Sequence, residues 1–136
     1  MVDNIPAIWV KGVEDSEGSG QTNNPEIFLA RTHECFLIAR KGNPSIKKKG
    51  RSSVFNFQTV PPGDKYHPTE RPVPLMTEIL DTFVYPGQLV CSPFLGSGSV
   101  LRACYKLGIN GFGWDLDEMN KNNFLLKVEE DWKDEK

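Results

Sequence analysis

Apolar residues in the first third of the chain cluster over strand-like lengths. Residues 8–11 (I-W-V-K) form one short run and residues 34–40 (E-C-F-L-I-A-R) a second, richer one, separated by a polar, Gly- and Asn-rich stretch over 12–25 that reads as a loop. After Lys41-Gly42 the pattern dissolves into a segment punctuated by Pro44, Gly50, Pro61, Pro62 and Gly63. That spacing predicts an irregular, exposed region over 43–66. From Pro72 the period changes: Leu75, Met76, Ile79, Leu80 and Phe83 recur at three- and four-residue intervals, as one face of an amphipathic helix closed by Tyr85-Pro86-Gly87. Residues 88–91 (Q-L-V-C) suit a buried strand, and a Gly-containing turn leads to a helix over 100–107 closed by Gly108. A further strand is predicted over 111–115 (G-F-G-W-D). A last helix follows over 117–132, with Met119, Phe124, Leu125 and Val128 as its apolar face before a charged tail. Strand, Gly-rich turn, helix, strand and helix in that order argue for a parallel sheet with helical crossovers.

Composition bounds what this pattern can be. With 136 residues and 38% hydrophobic content, the chain is expected to form a single domain or a piece of one. A net charge of -2 excludes the overall basic excess of many nucleic-acid-binding proteins, so any such contact must be local. Lys47, Lys48, Lys49 and Arg51 supply one local basic run. Cys35, Cys91 and Cys104 are odd in number, widely spaced and set in apolar runs, which predicts buried, reduced thiols. The N-terminal residues lack a basic and apolar leader, and no apolar run approaches a membrane span, so a soluble cytoplasmic protein is expected.

The candidate chemistry concentrates in the run S-P-F-L-G-S-G-S over 92–99, at the carboxyl end of a predicted strand and the start of a helix, where open α/β sheets place ligands. Gly96 and Gly98 allow close backbone approach, although a tight turn that binds nothing would look the same. Asp115 ends the next predicted strand, where an acid can accept both hydroxyls of a ribose. Its alternative is a helix cap, for which Asp117 is the better candidate. Three nucleotide-type cofactors then separate. A phosphate-cradling P-loop needs Lys and Ser/Thr directly after the glycines, and this chain continues Ser99-Val100-Leu101. A dinucleotide loop wants a small residue where Leu101 stands. A cofactor without phosphate remains.

Three motifs in order carry a resemblance. H-P-T-E-R-P (67–72), the glycine run (92–99) and G-F-G-W-D-L-D (111–117) resemble the H-P-T-x-[KR]-P, D-P-F-x-G-S-G and acidic strand-end motifs of the DNA N6-adenine or N4-cytosine methyltransferases. Their order is similar to that of the permuted group, in which the catalytic motif lies upstream. The first-half runs, with the His33-Glu34 pair, resemble more loosely the strand pair that follows that motif.

The resemblance implies an α/β, Rossmann-like S-adenosylmethionine-dependent methyltransferase fold, incomplete on its N-terminal side. It implies one partial domain over 1–136, with a basic target-recognition segment at 43–66 and a cofactor-binding half at 67–136. Ser92, Pro93, Phe94, Gly96, Ser97 and Gly98 would line the methionine end of S-adenosylmethionine and Asp115 would hold the ribose. His67, Thr69 and Arg71 would flank the cofactor from the other side. Lys47, Lys48, Lys49 and Arg51 would meet the phosphates of double-stranded DNA, against a solvated loop as the alternative. Phe55 and Phe57 are expected to anchor that loop on the core rather than stack on bases.

Two features depart from the family pattern. Ser92 stands where the family usually has an acid, which weakens the link to the cofactor's amino group. No [DNS]-P-P-[YFW] tetrapeptide is present, since Val60-Pro61-Pro62-Gly63 lacks both its polar and its aromatic member, so no catalytic residue is nominated. The simplest expectation is a C-terminal portion of a longer enzyme, with the missing part upstream. A degenerate module that binds DNA or a partner chain without chemistry is the rival from another class. A nicotinamide-dependent oxidoreductase is disfavoured by Leu101 and by H-P-T-E-R-P.

Overall fold

Strand β1 (Ala7–Val10) alternates buried and half-buried positions, turning Ala7 and Trp9 inward. It pairs antiparallel with β2 (His33–Phe36) and parallel with β3 (Val54–Asn56), giving a three-stranded sheet in the order β2-β1-β3. Phe55 is the buried centre of β3, its ring 5.5 Å from that of Phe36, and the Trp9 indole donates to the Phe57 carbonyl at 2.8 Å. The structure, a computed structural model, describes residues 2–12, 24 and 26–134. They divide into two units: this sheet belongs to Met1–Ser45 with Lys49–Thr59, and the other unit is Ile46–Lys48 with Val60–Lys136.

In the second unit α1 (Val73–Phe83) starts behind the buried Pro72 and carries Pro74 in its first turn, where a missing N–H costs nothing. Leu75 and Leu80 are buried as the periodicity predicts, with Met76, Ile79 and Phe83 half-buried. A turn over 85–88 follows, with Gly87 at φ +83 and Gln88 N–H donating to Tyr85 O at 3.1 Å. β4 (Leu89–Ser92) then pairs parallel with β5 (Asn110–Gly113) through the crossover helix α2 (Ser99–Lys106). Val73, Leu80, Ala103, Cys104 and Ile109 form the core between α1, α2 and the strands. α3 (Glu118–Asp134) is capped by Asp117, whose carboxylate accepts the Met119 N–H at 2.9 Å.

Four expectations need correction. The region 43–66 is not wholly irregular, because β3 and a 3-10 turn (Pro62–Asp64) form within it. The second strand ends at Phe36, and of the rest of the expected run only Ala39 bridges, to Val2. Cys35 and Cys91 are exposed and only Cys104 is buried. Strand alternation explains this: Cys35 takes an outward position of β2, and Cys91 points away from its buried neighbour Ser92. Finally, Met119 and Leu125 on α3 are exposed. The half-buried stripe is instead Asn120, Asn123, Phe124, Lys127, Val128 and Asp131, a helical spacing filled largely by polar residues. The loop expected over 12–25 falls outside the described residues, save Gly12 and Asn24, as do the last two residues of the charged tail.

Candidate functional site

Between the end of β4 and the start of α2 the glycine run is held by its own backbone and by β5's continuation. Leu95 N–H donates to Trp114 O at 3.0 Å, Trp114 N–H to Ser92 O at 3.1 Å, and Gly98 N–H to Leu95 O at 3.0 Å. Gly96 and Gly98 both have positive φ, +54 and +74. At Gly98 a Cβ would lie 2.0 Å from the Phe124 ring, so glycine is required by space as well as by backbone conformation.

Asp115 is the tie that closes this loop. One carboxylate oxygen accepts the Gly96 N–H at 2.8 Å, and the other accepts the Asp117 N–H and the Asn120 side-chain amide, both at 3.0 Å. These donors, Gly96 first, hold its carboxyl at about 2, well below the ordinary carboxylate value, so it is ionised. A carboxylate offers roughly four acceptor positions, and three are already filled from within the chain. Asp115 therefore retains room for about one further donor, rather than the two that its position alone suggests.

The H-P-T-E-R-P segment forms the opposing wall. His67 Nδ1 faces the Thr69 N–H at 3.3 Å and the Thr69 hydroxyl at 3.1 Å, which makes Nδ1 the acceptor and leaves the ring proton on Nε2. The Ser99 hydroxyl donates to Arg71 O at 2.7 Å and so ties this wall to α2. Glu70, 6% exposed, accepts the Tyr66 N–H at 2.9 Å and lies 3.9 Å from Arg102. Arg102 in turn makes a two-pronged pair with Asp131, both contacts at 2.7 Å. From α3, the Asn123 amide donates to Tyr66 O at 2.9 Å and Lys127 to Asp64 O at 3.0 Å. The polar stripe of α3 thus clamps residues 64–70 from behind.

These walls line a half-open cavity of about 280 Å³, just below the roughly 300–1,000 Å³ of ligand pockets. Seven of the sequence-nominated residues line it together: His67, Thr69, Arg71, Phe94, Gly96, Ser97 and Asp115. Ser92 and Gly98, both buried, and the exposed Pro93 do not line it. Ser92 instead ends β4 beneath the loop, where a Cβ on Gly113 would come within 2.6 Å of its carbonyl. Met76, Leu95, Ser99 and Val100 line the cavity without having been singled out. Met76 and Val100 read as ordinary helix-face residues, whereas Ser99, adjoining G-S-G, carried a signal that its neighbours overshadowed.

Two members of the basic run, Lys47 and Lys48, are engaged within the second unit. Lys47 pairs with Asp81, and Lys48 with both Glu78 and Asp81 at 2.7 Å. The N–H groups of Lys47 and Lys48 also donate to Thr82 O, a carbonyl that the last turn of α1 leaves without a helical partner. Two neighbouring carboxylates raise the Lys48 ammonium above its usual value. Arg51, in the other unit, lies 3.9 Å over the Phe55 ring and donates to Val54 O at 2.9 Å. Lys49 is exposed. Phe55 is buried and Phe57 half-buried, as expected of anchors. Among the described residues no group of His, Cys, Asp and Glu could hold a metal ion, and no helix is long and apolar enough to cross a membrane.

Comparison with known proteins gives this arrangement a family. A family model described as DNA methylase matches residues 2–124. The putative methylase YubD of Escherichia coli (strain K12) is 33% identical over 91 residues, 67% of this chain and 39% of that protein. Among solved structures, the M1.HpyAVI–SAM complex matches with a TM-score of 0.72 at 20% identity, over 93% of this chain and 62% of that one. PvuII DNA methyltransferase (cytosine-N4-specific) matches with a TM-score of 0.65 at 12% identity, over 88% and 50%. The chain therefore spans less than two thirds of each of these relatives. At such identities the structural matches speak for a Rossmann-like methyltransferase fold, and the family model covers most of the chain; this protein belongs to the N6/N4 DNA methylase family.

Proposed function

We propose that this chain is the cofactor-binding portion of an S-adenosylmethionine-dependent DNA methyltransferase acting on the exocyclic amine of adenine or cytosine in double-stranded DNA. The observation that carries this reading is the cavity between the glycine loop and H-P-T-E-R-P, whose walls are fixed by protein hydrogen bonds and which offers Asp115 without a phosphate-cradling lysine. In support, the solved relative of highest similarity cited above is a complex with SAM. Asp115 would accept one ribose hydroxyl at its remaining position, and Phe94, 87% exposed, would offer its ring to an apolar or cationic part of the ligand. When bound, S-adenosylmethionine supplies a methyl group on an already activated sulfonium. The contribution of this chain is then to bind and orient rather than to move protons.

Titration calorimetry with S-adenosylmethionine tests the proposal. Saturable binding that Asp115→Ala abolishes is expected, and no heat at millimolar ligand would sink it. A second reading, a methyltransferase-fold module without chemistry, is favoured by two observations. Ser92 replaces the usual acid and lies outside the cavity, and Val60-Pro61-Pro62-Gly63 leads into a 3-10 turn of exposed residues. Methyl transfer to DNA by the chain, alone or with a complementing segment that carries the missing tetrapeptide, would exclude the module.

A further inference from the structure

The three donors that meet Asp115 are not alike. Two are main-chain groups, the Gly96 N–H at 2.8 Å and the Asp117 N–H at 3.0 Å, which the glycine loop and the turn into α3 supply whatever side chains stand there. The third is a side chain, the amide of Asn120 in the first turn of α3, at 3.0 Å. Only its Nδ2 can face a carboxylate oxygen, because the amide oxygen would set two acceptors against each other. Asn120 is half-buried and its own N–H donates to Asp117 O at 3.1 Å, so the main chain that carries this amide is itself held. Asparagine is a weak helix former. What it brings to this position is the donor.

The three donors are also unequally divided. Oδ1 accepts both Asp117 and Asn120, which fills its two lone pairs, whereas Oδ2 accepts Gly96 alone and keeps one. Gly96 and Asp115 line the cavity, and Asp117 and Asn120 do not. The filled oxygen is therefore turned towards α3, and the oxygen with a position left towards the cavity side. The last torsion of an aspartate is soft, and one main-chain donor on each oxygen leaves the carboxylate room to rock. A third donor from α3 sets its plane. We infer that Asn120 is a positioning residue that pins the Asp115 carboxylate, so that the site takes one ribose hydroxyl and discriminates between the two. This rests on the S-adenosylmethionine reading above, in which Asp115 meets the ribose. Asn120, outside the lining, acts through Asp115.

Calorimetry with S-adenosylmethionine and its 2′-deoxy and 3′-deoxy analogues tests this. With the wild-type chain, loss of one hydroxyl is expected to weaken binding roughly tenfold or more, as for one charge-assisted hydrogen bond, and loss of the other to matter little. In Asn120→Leu, which keeps the bulk and removes the donor, the released carboxylate can turn to either hydroxyl, and the two penalties should converge. Asp117→Ala weakens the cap of the same helix but keeps both the main-chain donor and Asn120, so the ratio of penalties should stay at its wild-type value. Because each result is a ratio between ligands on one variant, a general loss of stability does not mimic it. A second readout needs no ligand: the Asp115 carboxyl, held at about 2 by Gly96, Asp117 and Asn120 together, should titrate higher in Asn120→Leu when followed by carbon NMR. Equal penalties in the wild-type chain, or an Asn120→Leu variant in which neither the ratio nor the titration moves, overturns the inference and leaves the cofactor reading standing. If the wild-type chain does not bind S-adenosylmethionine, the cofactor reading fails and this inference with it.

Discussion

Gly98 and Gly108 share a left-handed backbone, φ +74 and +63, yet differ in what surrounds them. A Cβ at Gly98 meets the Phe124 ring, whereas at Gly108 nothing lies within 4 Å. Gly108→Ala should cost only backbone strain, about 1–2 kcal/mol, and Gly98→Ala should cost that and more. Urea denaturation of both variants checks this, and equal losses would show that Phe124 swings aside freely. Asp115 makes a pH prediction. Its folded value of about 2 lies below the roughly 3.9 of an unfolded Asp, so its contribution is present above about pH 4 and is lost as the pH falls towards about 2. Asp81 and Asp131 are also lowered by their cationic partners, so the comparison that isolates Asp115 is wild type against Asp115→Asn. The stability gap between them should be widest near neutrality and close near about pH 2. A gap independent of pH would mean that the charge is not what ties the loop.

At the scale of elements, α3 is attached less by apolar burial than by named polar contacts. Arg102, 13% exposed, holds Asp131 in two hydrogen bonds and lies near the buried Glu70. Removing one partner of such a pair leaves an uncompensated charge. Because Asp131 keeps access to solvent, Arg102→Ala should cost about 2 kcal/mol rather than the larger value of a fully buried pair. Amide exchange should accelerate in α3 and in residues 64–70 more than in β4 and β5. Arg102→Lys should recover little, because an ammonium cannot reproduce the two-pronged geometry. Uniform acceleration across the second unit would show that α3 is not separately clamped.

For the whole molecule, a net charge of -2 leaves DNA affinity to local cations, and two of the four nominated are already engaged by α1. A lysine that neutralises one phosphate contributes about 0.9 to the slope of log affinity against log salt. On the proposed DNA reading, Lys49→Ala should lower the slope by about that much. Lys47→Ala with Lys48→Ala should lower it by less than twice that, because Asp81 and Glu78 already hold those ammonium groups. Fluorescence anisotropy with duplex DNA at several salt concentrations measures both, and an unchanged slope in Lys49→Ala would reject this role for the loop.

Some of this structure was legible in the chain itself. The 3.6-residue period over α1 placed Leu75 and Leu80 in the core, Asp117 read as a cap, and the order from residue 88 onward implied the parallel pair β4 and β5 with its crossover helix. Those features are local, because helix period, cap chemistry and crossover handedness act over a few residues or a single connection. Seven of the residues that the family resemblance nominated line one cavity. The buried stripe of α3 was not legible, since Asn120, Asn123, Lys127 and Asp131 look like a solvated face until Asp115, Tyr66, Asp64 and Arg102 supply their partners. Nor was the exposure of Cys91, which depends on what covers each face of its sheet. The sequence by itself determined the helix period, the cap and the order of strand, glycine turn and helix. Tertiary structure alone decided which hydrogen bonds the residues of the site had already made, and so how many acceptor positions Asp115 has left.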